Sequence, residues 1–358
     1  DWIECSYPGV KRGQHDRNQW AKNFRNEIIK NSNFPIIKQS VNLELTNHEL
    51  PKFFYDSTPC PYRQKGGSVE AEKLLQSFLN KRGENYQFEM SSPITAEKSC
   101  SRLSTHLTYG TISHRAVFQE ATKKRDQIKH TNKNFAKSIN SFLSRLHWRS
   151  HFIQKLEDQP SIEHASFIPV YDQIRDKDEE KLEAWIEGKT GVHFIDACMI
   201  YLRNYGWINF RMRAMLASFA SYNLWLDWRY FAPRLAALFT DFEPGIHYSQ
   251  IQMQSGTTGI NTIRMYNPYK QAMDQDPLAK FIKSQIPKVK NFPPAFFHNP
   301  PKKSLNVNLF DNEFQKEIIN VKETAQYARK KIFDIRKSQE HKILAKNVYL
   351  KHGSRGRS

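Results

Sequence analysis

The fold of this 358-residue chain is decided by residues 190–219, TGVHFIDACMIYLRNYGWINFRMRAMLASF. Apolar side chains recur there with the period of an α-helix, in two runs over 193–204 and 207–223. The same period is found in four further segments: 112–129, 134–157, 178–187 and 229–239. Strand-like alternation is rare. We therefore predict a mainly α fold.

The chain is strongly basic. It has 54 Lys and Arg against 36 Asp and Glu, a formal net charge of +18, and 13% of its residues are aromatic. This composition favours a polyanionic partner, with nucleic acid as the first candidate, because cations bind phosphates and aromatic rings stack on bases. A solvated charged surface is the alternative, since net charge carries no information about the fold.

Several classes of protein are disfavoured. The four cysteines, Cys5, Cys60, Cys100 and Cys198, form no C-x-x-C pair, so we expect no metal site, no disulfide framework and a cytoplasmic location. No apolar run is long enough to cross a membrane, and the start does not resemble a signal peptide. Phosphate-binding glycine loops, zinc-protease motifs and nucleophile elbows are missing. Because the chain begins at Asp1, we expect a fragment or a processed form.

For residues 1–65 the sequence predicts a helix, similar to one between domains, followed by a long surface connection. Trp20, Phe24 and Ile28 recur every four residues and form one face of a helix. The prolines that follow interrupt short apolar runs, which indicates a long segment on a surface.

The remainder divides into a helical domain, residues 66–340, and a basic C-terminal tail, residues 341–358. Within the domain, the Pro-rich stretch 287–301 predicts a loop, and a helix is predicted from about residue 312 to 337. We expect the tail to be solvated, and a functional role is the alternative.

Three polar clusters are candidates for chemistry. The first is Ser101-Arg102-Leu103-Ser104, at the start of a predicted helix. The first N–H groups of a helix lack intrahelical partners, and its dipole favours negative charge, so a pyrophosphate could bind there. Capping by Ser101 or Ser104 explains the same pattern equally well.

The second cluster lies in the helix predicted over 134–157. Arg145 and Arg149 are one turn apart with Trp148 beside them, so they can bind a phosphate and stack on a base. The alternative, a solvated basic face, is disfavoured because apolar neighbours bury most of this helix.

The third cluster joins two distant segments. Arg211 and Arg213 lie in an apolar helix and need acidic partners or a bound anion, because an unpaired buried charge is unfavourable. Asp241 and Glu243 follow Arg213 by about 28 residues and are the expected partners. A purely structural ion pair is the alternative.

In order and spacing, these motifs resemble the FAD-binding core of the photolyase/cryptochrome family. The resemblance is carried by TGVHFIDACM (190–199), YGWINFRMRAMLASF (205–219), LDWR (226–229), DFE (241–243) and YNP (266–268). Ser101-Arg-Leu-Ser, Tyr109-Gly and Trp148-Arg149 match further upstream, so it covers about residues 80–285. The opening segment is similar to the connection after the family's N-terminal antenna domain, and we expect that domain to lie outside this sequence.

The resemblance implies FAD in a helical pocket, with its phosphates at Ser101 to Ser104 and its isoalloxazine ring between Arg213 and Asp241. The residues implied to contact FAD are Tyr86, Ser101, Arg102, Leu103, Ser104, Arg149, Trp207, Phe210, Arg213, Asp241, Glu243 and His247. No metal is implied, because no cysteine follows Cys198 to hold an iron–sulfur cluster.

Some positions depart from the family pattern. His247 stands where an asparagine usually faces flavin N5, and a histidine could exchange a proton there near neutral pH. Of the family's three electron-transfer tryptophans only Trp228 is retained, because the others align with Ile251 and Arg175. Nearby aromatic residues that offer another route are Trp225, Tyr248 and Trp207.

The expected DNA-lesion pocket also differs. Trp148 is retained, but Arg145 stands for an acidic residue and Met253 for a second tryptophan. A methionine packs more softly than an aromatic ring and offers no π face to a flipped base.

Two functions follow from the resemblance. The first is a deoxyribodipyrimidine photolyase, a carbon–carbon lyase that uses reduced FAD and blue light to split pyrimidine dimers in DNA, with Trp148, Trp228 and His247 as its catalytic residues. The alternative is a cryptochrome-like photoreceptor that signals through flavin redox change without repair. A weaker third hypothesis is a flavoprotein that catalyses a redox reaction without light, or an inactive structural remnant that still binds DNA.

Overall fold

A computed structural model describes residues 7–13, 17–30, 59–299 and 316–353. In these ranges the regular structure is helical, and the only β pairing is a single bridge between Asp176 and Leu226. The predicted mainly α fold is therefore confirmed. None of the helices in the described ranges is long and apolar enough to span a membrane.

The α-helices are, in chain order, α1 (Trp20–Ile28), α2 (Ser68–Ser77), α3 (Tyr86–Glu89), α4 (Pro93–Ser99), α5 (Ser104–Thr108), α6 (His114–Ile128), α7 (Lys133–Asp158), α8 (Glu179–Ile186), α9 (His193–Tyr205), α10 (Phe210–Ser218), α11 (Trp228–Ala236), α12 (Pro244–Ser255), α13 (Pro268–Gln275), α14 (Lys280–Gln285), α15 (Pro294–His298), α16 (Val321–Lys337) and α17 (Gln339–His352). Short π-helical turns continue α2 over Phe78–Arg82 and α10 over Phe219–Asn223.

The largest apolar core is built mainly by helices α8 to α14. Met199, Met212 and Phe231 are fully buried in it, and Trp228 is 1% exposed. Each such side chain stabilises the fold by about 1.5–3 kcal/mol through burial. This core holds α9 and α10, which carry the deciding sequence motif, in fixed positions.

Helix α7 connects this core to a second apolar cluster, because it packs on α6 along one side and on α12 along the other. Its residues Ile139 and Phe142 belong to the second cluster, with Phe78. Helix α12 approaches α7 closely at Gly245, where an added Cβ would lie 2.7 Å from the Cα atom of Ile153. The start of α12 is thereby placed beside the C-terminal third of α7.

The predicted helical face near the N-terminus is confirmed. Trp20, Phe24 and Ile28 are each 1% exposed, and the Trp20 indole N–H donates to the carbonyl of Gly9 at 2.7 Å. The Trp20 ring packs edge-on against His147 of α7, with ring centroids 4.7 Å apart. The rest of the predicted connection, residues 31–58, lies outside the described residues.

The predicted C-terminal tail is wrong over most of its length. Residues Gln339–His352 form α17, which Ser338 caps by accepting from the His341 N–H. His341 and His352 are buried, and the His352 ring bonds Gln159 at 2.8 Å. Residues 354–358 lie outside the described residues.

The segments before this helix also differ from prediction. The predicted loop over 287–301 contains the short helix α15, and α16 begins at Val321, whereas the predicted helix starts near residue 312. Asn320 fixes that start, because its side chain accepts from the N–H groups of Lys322 and Glu323.

Candidate functional site

The centre of the site is an ion pair between α10 and the segment after α11. The guanidinium of Arg213 donates to both carboxylate oxygens of Asp241, at 3.0 and 2.8 Å. Burial alone would raise the pKa of Asp241, but Arg213 and the hydroxyl of Ser104 lower it below its usual value. The carboxylate is therefore charged at neutral pH.

This contact corrects two expectations. An isoalloxazine ring cannot lie between Arg213 and Asp241, because two hydrogen bonds already join them, so a ring could only lie against the pair. Asp241 and Glu243 also do not, as a set of two, pair with Arg213 and Arg211. Glu243 instead accepts from Arg149 of α7 at 3.0 Å, and the Arg211 Nε is buried without a hydrogen-bond partner in the part of the chain that the structure describes.

Arg149 links the two ion pairs into one network. Its Nη2 also donates to the Thr108 hydroxyl at 3.5 Å, and that hydroxyl donates to the backbone carbonyl of Asp241, again at 3.5 Å. Its Nε donates to the hydroxyl of Tyr7 at 2.9 Å. Helices α5, α7 and α10 and the segment 241–243 thus meet through charged and hydroxyl groups.

The segment Ser101 to Ser104 is shaped by Arg82. The Arg82 guanidinium donates to the carbonyls of Lys98 and Cys100, at 2.8 and 2.7 Å, and to the carbonyl of Ser101 at 3.3 Å. Arg102 takes a φ of 63°, in the left-handed region that only a few per cent of residues other than glycine adopt. Outliers of this kind concentrate at ligand sites.

The predicted helix-start anion site needs correction. Helix α5 has only five residues, Ser104–Thr108, and no side chain caps it. Its dipole is therefore small. The group that favours an anion here is the guanidinium of Arg102, which lies 3.8 Å from the centre of the Trp207 ring.

Several predicted FAD or lesion residues lie outside this network. Tyr86 is buried in the second apolar cluster, where its ring meets Phe78 edge-on at 5.6 Å. Phe210 is 52% exposed, with the Arg145 guanidinium 5.9 Å from its ring centre. Trp148 is half-buried and stacked on Phe152, with ring centroids 5.5 Å apart. Arg145 and Phe210 therefore meet at the surface.

His247 on α12 is held differently from the expectation. Its side chain is buried, and its Nε2 bonds the carbonyl of Ala232 at 3.0 Å, so this nitrogen carries the proton and donates. Burial lowers its pKa to about 4. The ring is therefore neutral near pH 7 in this environment, and its expected proton exchange with flavin N5 stays a prediction.

An aromatic path leads from His247 toward Trp228. The His247 and Tyr248 rings meet edge-on with centroids 5.3 Å apart, and Tyr248 meets Trp228 edge-on at 6.4 Å. Trp228 donates its indole N–H to the Ser166 hydroxyl at 2.9 Å. Met253, one turn and a half beyond His247 on the same helix, is half-buried.

Arg175, which the sequence resemblance aligns with a family tryptophan, is packed against two rings. Its guanidinium lies 5.5 Å from the Tyr222 ring centre and 4.9 Å from that of Trp225. It donates to the carbonyls of Ser221 and Ser255 at 3.0 and 2.7 Å. Arg175 thus holds the end of α12 to the π-helical turn after α10.

Comparison with known proteins identifies the family of this chain. The family described as the FAD-binding domain of DNA photolyase matches residues 142–341. The chain belongs to this photolyase/cryptochrome family.

Individual relatives agree with this assignment. A deoxyribodipyrimidine photo-lyase of Streptomyces griseus is 29% identical over 67% of this chain and 50% of its own length. Cryptochrome-2 of Gallus gallus is 27% identical over 67% of this chain and 42% of its own. The crystal structure of a Synechocystis cryptochrome has the same fold, with a TM-score of 0.70 at 21% identity over 81% of this chain and 61% of its own. The chain spans about half the length of the curated relatives it matches.

FAD is the cofactor of the photolyase/cryptochrome family, and the residues of this chain fit it. One guanidinium nitrogen of Arg102 is buried and has no hydrogen-bond partner among the described residues. Burial lowers the pKa of Arg102 below its usual value, so an anion beside it would be favourable. A pyrophosphate supplies such an anion, and the Trp207 ring packs against the Arg102 guanidinium and holds it in place.

Three residues of the site were missed by sequence reasoning: Tyr7 and Thr108 in the ion-pair network, and Arg82 beneath the segment Ser101 to Ser104. Thr108 could have been found, because it follows Ser104 by one helical turn and must share its face. The sequence carries no comparable signal for Tyr7 or Arg82. Tyr7 acts through a contact 142 residues away, and Arg82 acts through backbone carbonyls up to 19 residues away.

Proposed function

We propose that this chain is the flavin-binding part of a light-driven DNA photolyase, which splits pyrimidine dimers by electron transfer from reduced FAD. The observation that carries the proposal is the buried network in which Arg213–Asp241 and Arg149–Glu243 are joined through Thr108. The photolyases among its relatives support the reaction class.

The cofactor, when bound, would supply an electron on illumination and recover it after the dimer has opened, so that no oxidant or reductant is consumed. The chain's own residues bind and orient. Arg102 holds the phosphates, while the Arg213–Asp241 pair fixes one edge of the pocket with both charges in place. His247 keeps its Nε2 proton on the carbonyl of Ala232, so this N–H is not available to a ligand.

The proposed partner is DNA. Trp148 offers the face on which a flipped pyrimidine would stack, and Arg145, exposed one turn earlier, offers a cation to the flanking phosphate. Met253 is the third residue of the proposed lesion site. The net charge of +18 supports association with a polyanion.

The test measures flavin content and repair in one preparation. The purified protein should show the absorption bands of bound flavin, and after reduction it should remove dimers from irradiated DNA under blue light but not in darkness. Protein that binds damaged DNA and flavin yet leaves every dimer intact under light would overturn the repair proposal.

A second candidate is a cryptochrome-like photoreceptor. It is favoured by α12, which has Met253 in place of a pocket tryptophan, and by Arg175 in place of an electron-transfer tryptophan. The same preparation separates the two functions. A photoreceptor would change its flavin redox state on illumination while the dimer count stays constant.

A further inference from the structure

The turn between α6 and α7 bears a basic groove far along α7 from Trp148. The groove is open and has a volume of about 370 Å³. Its lining residues are Arg125, Lys129, Lys133, Ala136, Lys137 and Asn140. Four of these six side chains are cations, and no carboxylate is among them.

Two carboxylates lie near the groove. Asp126 is paired with Arg125, one of the four lining cations, at 2.9 Å, and Glu84 accepts from the side chain of Asn132 at 2.8 Å. The charge of Arg125 is therefore already compensated, and the three lysines carry the positive charge of the groove. Lys129, Lys133 and Lys137 are exposed, and none of the three has an ion pair with a described carboxylate. Their positive charge is therefore available to an external partner.

The groove continues into an exposed stripe on α7. Lys133, Lys137, Asn140 and Ser144 are all exposed, and their spacing places them on one face of the helix. The stripe reaches Arg145 and Trp148. No Asp or Glu occurs between Lys133 and Leu156.

The length of this stripe can be compared with DNA. Fifteen residues separate Lys133 from Trp148, and an α-helix rises about 1.5 Å per residue, so the stripe is about 22 Å long. Duplex DNA has one phosphate per strand for about every 3.4 Å of axis. The stripe therefore matches roughly six base pairs of backbone.

We propose that the groove and the stripe, together the α7 basic track, bind the phosphate backbone of double-stranded DNA beside the lesion site. The proposal rests on the DNA-binding function proposed above and adds a flank of about six base pairs to its footprint. A linear array of lysines in an open groove suits an extended polyanion. A small phosphate ligand would need convergent donors that enclose it.

The first experiment measures DNA affinity in darkness as a function of salt, which makes it independent of repair. The variant is Lys129→Gln/Lys133→Gln/Lys137→Gln. The matched control is Lys280→Gln/Lys288→Gln/Lys290→Gln, which removes three exposed lysines on and after α14. Each lost phosphate contact reduces the steepness of the negative slope of log affinity against log salt by about 0.9. We expect the slope of the variant to be less steep by roughly 2 to 3, and that of the control to change little.

Equal salt slopes for the wild type and the track variant would overturn the proposal. The proposal would also be overturned if the slope of the control changed as much as that of the track variant. Tighter binding of tripolyphosphate than of duplex by the wild type, abolished in the variant, would also overturn it in favour of a small-anion site. Thermal unfolding verifies that both variants are folded.

The second experiment needs no variant. Wild-type affinity is measured on duplexes with one central lesion, trimmed base pair by base pair from one end or the other. Affinity should drop when one flank becomes shorter than about six base pairs, and the track variant should lack that drop. If repair fails while these differences persist, the photolyase proposal is wrong and the track stands. If repair occurs but these affinity differences are not seen, the proposal of the α7 basic track is wrong and the photolyase proposal stands.

Discussion

Two neighbouring regions of the site differ in how they follow the family pattern. The ion-pair network ends at Glu243, and α12 begins at the next residue with His247, Ile251 and Met253. The network retains the expected residues, whereas α12 carries the substitutions. Holding a cofactor requires charges at fixed positions, while photochemistry requires aromatic rings and a suitable proton donor. The two demands are therefore separable, and each can be tested alone.

The largest effect is expected for Asp241→Ala, in the network. The change leaves the largely buried Arg213 guanidinium without its carboxylate, which destabilises a protein by about 3 kcal/mol. It should also remove bound FAD. Denaturant unfolding and the flavin absorbance of the purified protein measure the two results.

Asp274→Ala is the matched control for this change. Asp274 pairs with Lys270 at 3.1 Å on the surface of α13. Exposed pairs of this kind contribute about 0–1 kcal/mol, so stability and flavin content should stay close to the wild type. A normal flavin content in Asp241→Ala would show that the network is not the cofactor site.

The second prediction concerns pH and His247 on α12. Its pKa is about 4 in the folded protein and about 6.5 when unfolded, so the unfolded chain binds more protons between these values. Stability must then fall as the pH is lowered from about 6.5 to 4, by up to about 1.4 kcal/mol per pH unit for this residue. His247→Asn should reduce the slope of unfolding free energy against pH in that window.

His193→Asn is its control, because burial also lowers the pKa of His193 to about 4, at the start of α9. Both variants should flatten the pH dependence by similar amounts. Only His247→Asn should change the rate of light-driven flavin reduction. An unchanged pH slope in His247→Asn would mean that this ring is accessible to protons in the folded state.

The same contrast explains what could be predicted from the sequence. Helices α9 and α10 were predictable because their apolar residues follow the helical period, and Arg213–Asp241 was predictable because a buried charge needs a partner. Helix α12 was not predicted. Its interior face includes polar groups such as Gln252, which is fully buried and donates to the carbonyls of Ile162 and Ala165. Periodicity in apolar residues cannot detect such a helix.

The C-terminal helix and the Tyr7 contact failed for a different reason. Helix α17 buries His341 and His352, which read as polar in a basic segment, against side chains near residues 159–171. Tyr7 reaches Arg149 from 142 residues away. Contacts at such separations depend on tertiary packing, and local pattern carries no information about them.

Met253→Trp restores a ring to α12 and tests the lesion site. Stacking of a base on an aromatic side chain contributes about 1–3 kcal/mol, so the lower end predicts roughly a fivefold gain in preference for dimer-containing over intact DNA. Competitive binding in darkness measures it. Met273→Trp, on the exposed side of α13, is the control and should leave the preference unchanged. Equal preference in Met253→Trp and the wild type would remove Met253 from the lesion site.

The smallest effect is expected for Tyr248→Leu, which interrupts the aromatic path without touching the network. Tyr248 is the ring between Trp228 and His247, and a leucine in its place offers no aromatic orbital for a hole to occupy. Light-driven flavin reduction with an external thiol should slow, while flavin content and DNA affinity stay constant. Trp225→Leu is the opposing variant, because the ring contacts of Trp225 among the described residues are with Arg175 and Tyr327 and not with the rings of the aromatic path. If Trp225→Leu slows reduction and Tyr248→Leu does not, electrons reach the flavin through Trp225, and α12 takes no part in the path.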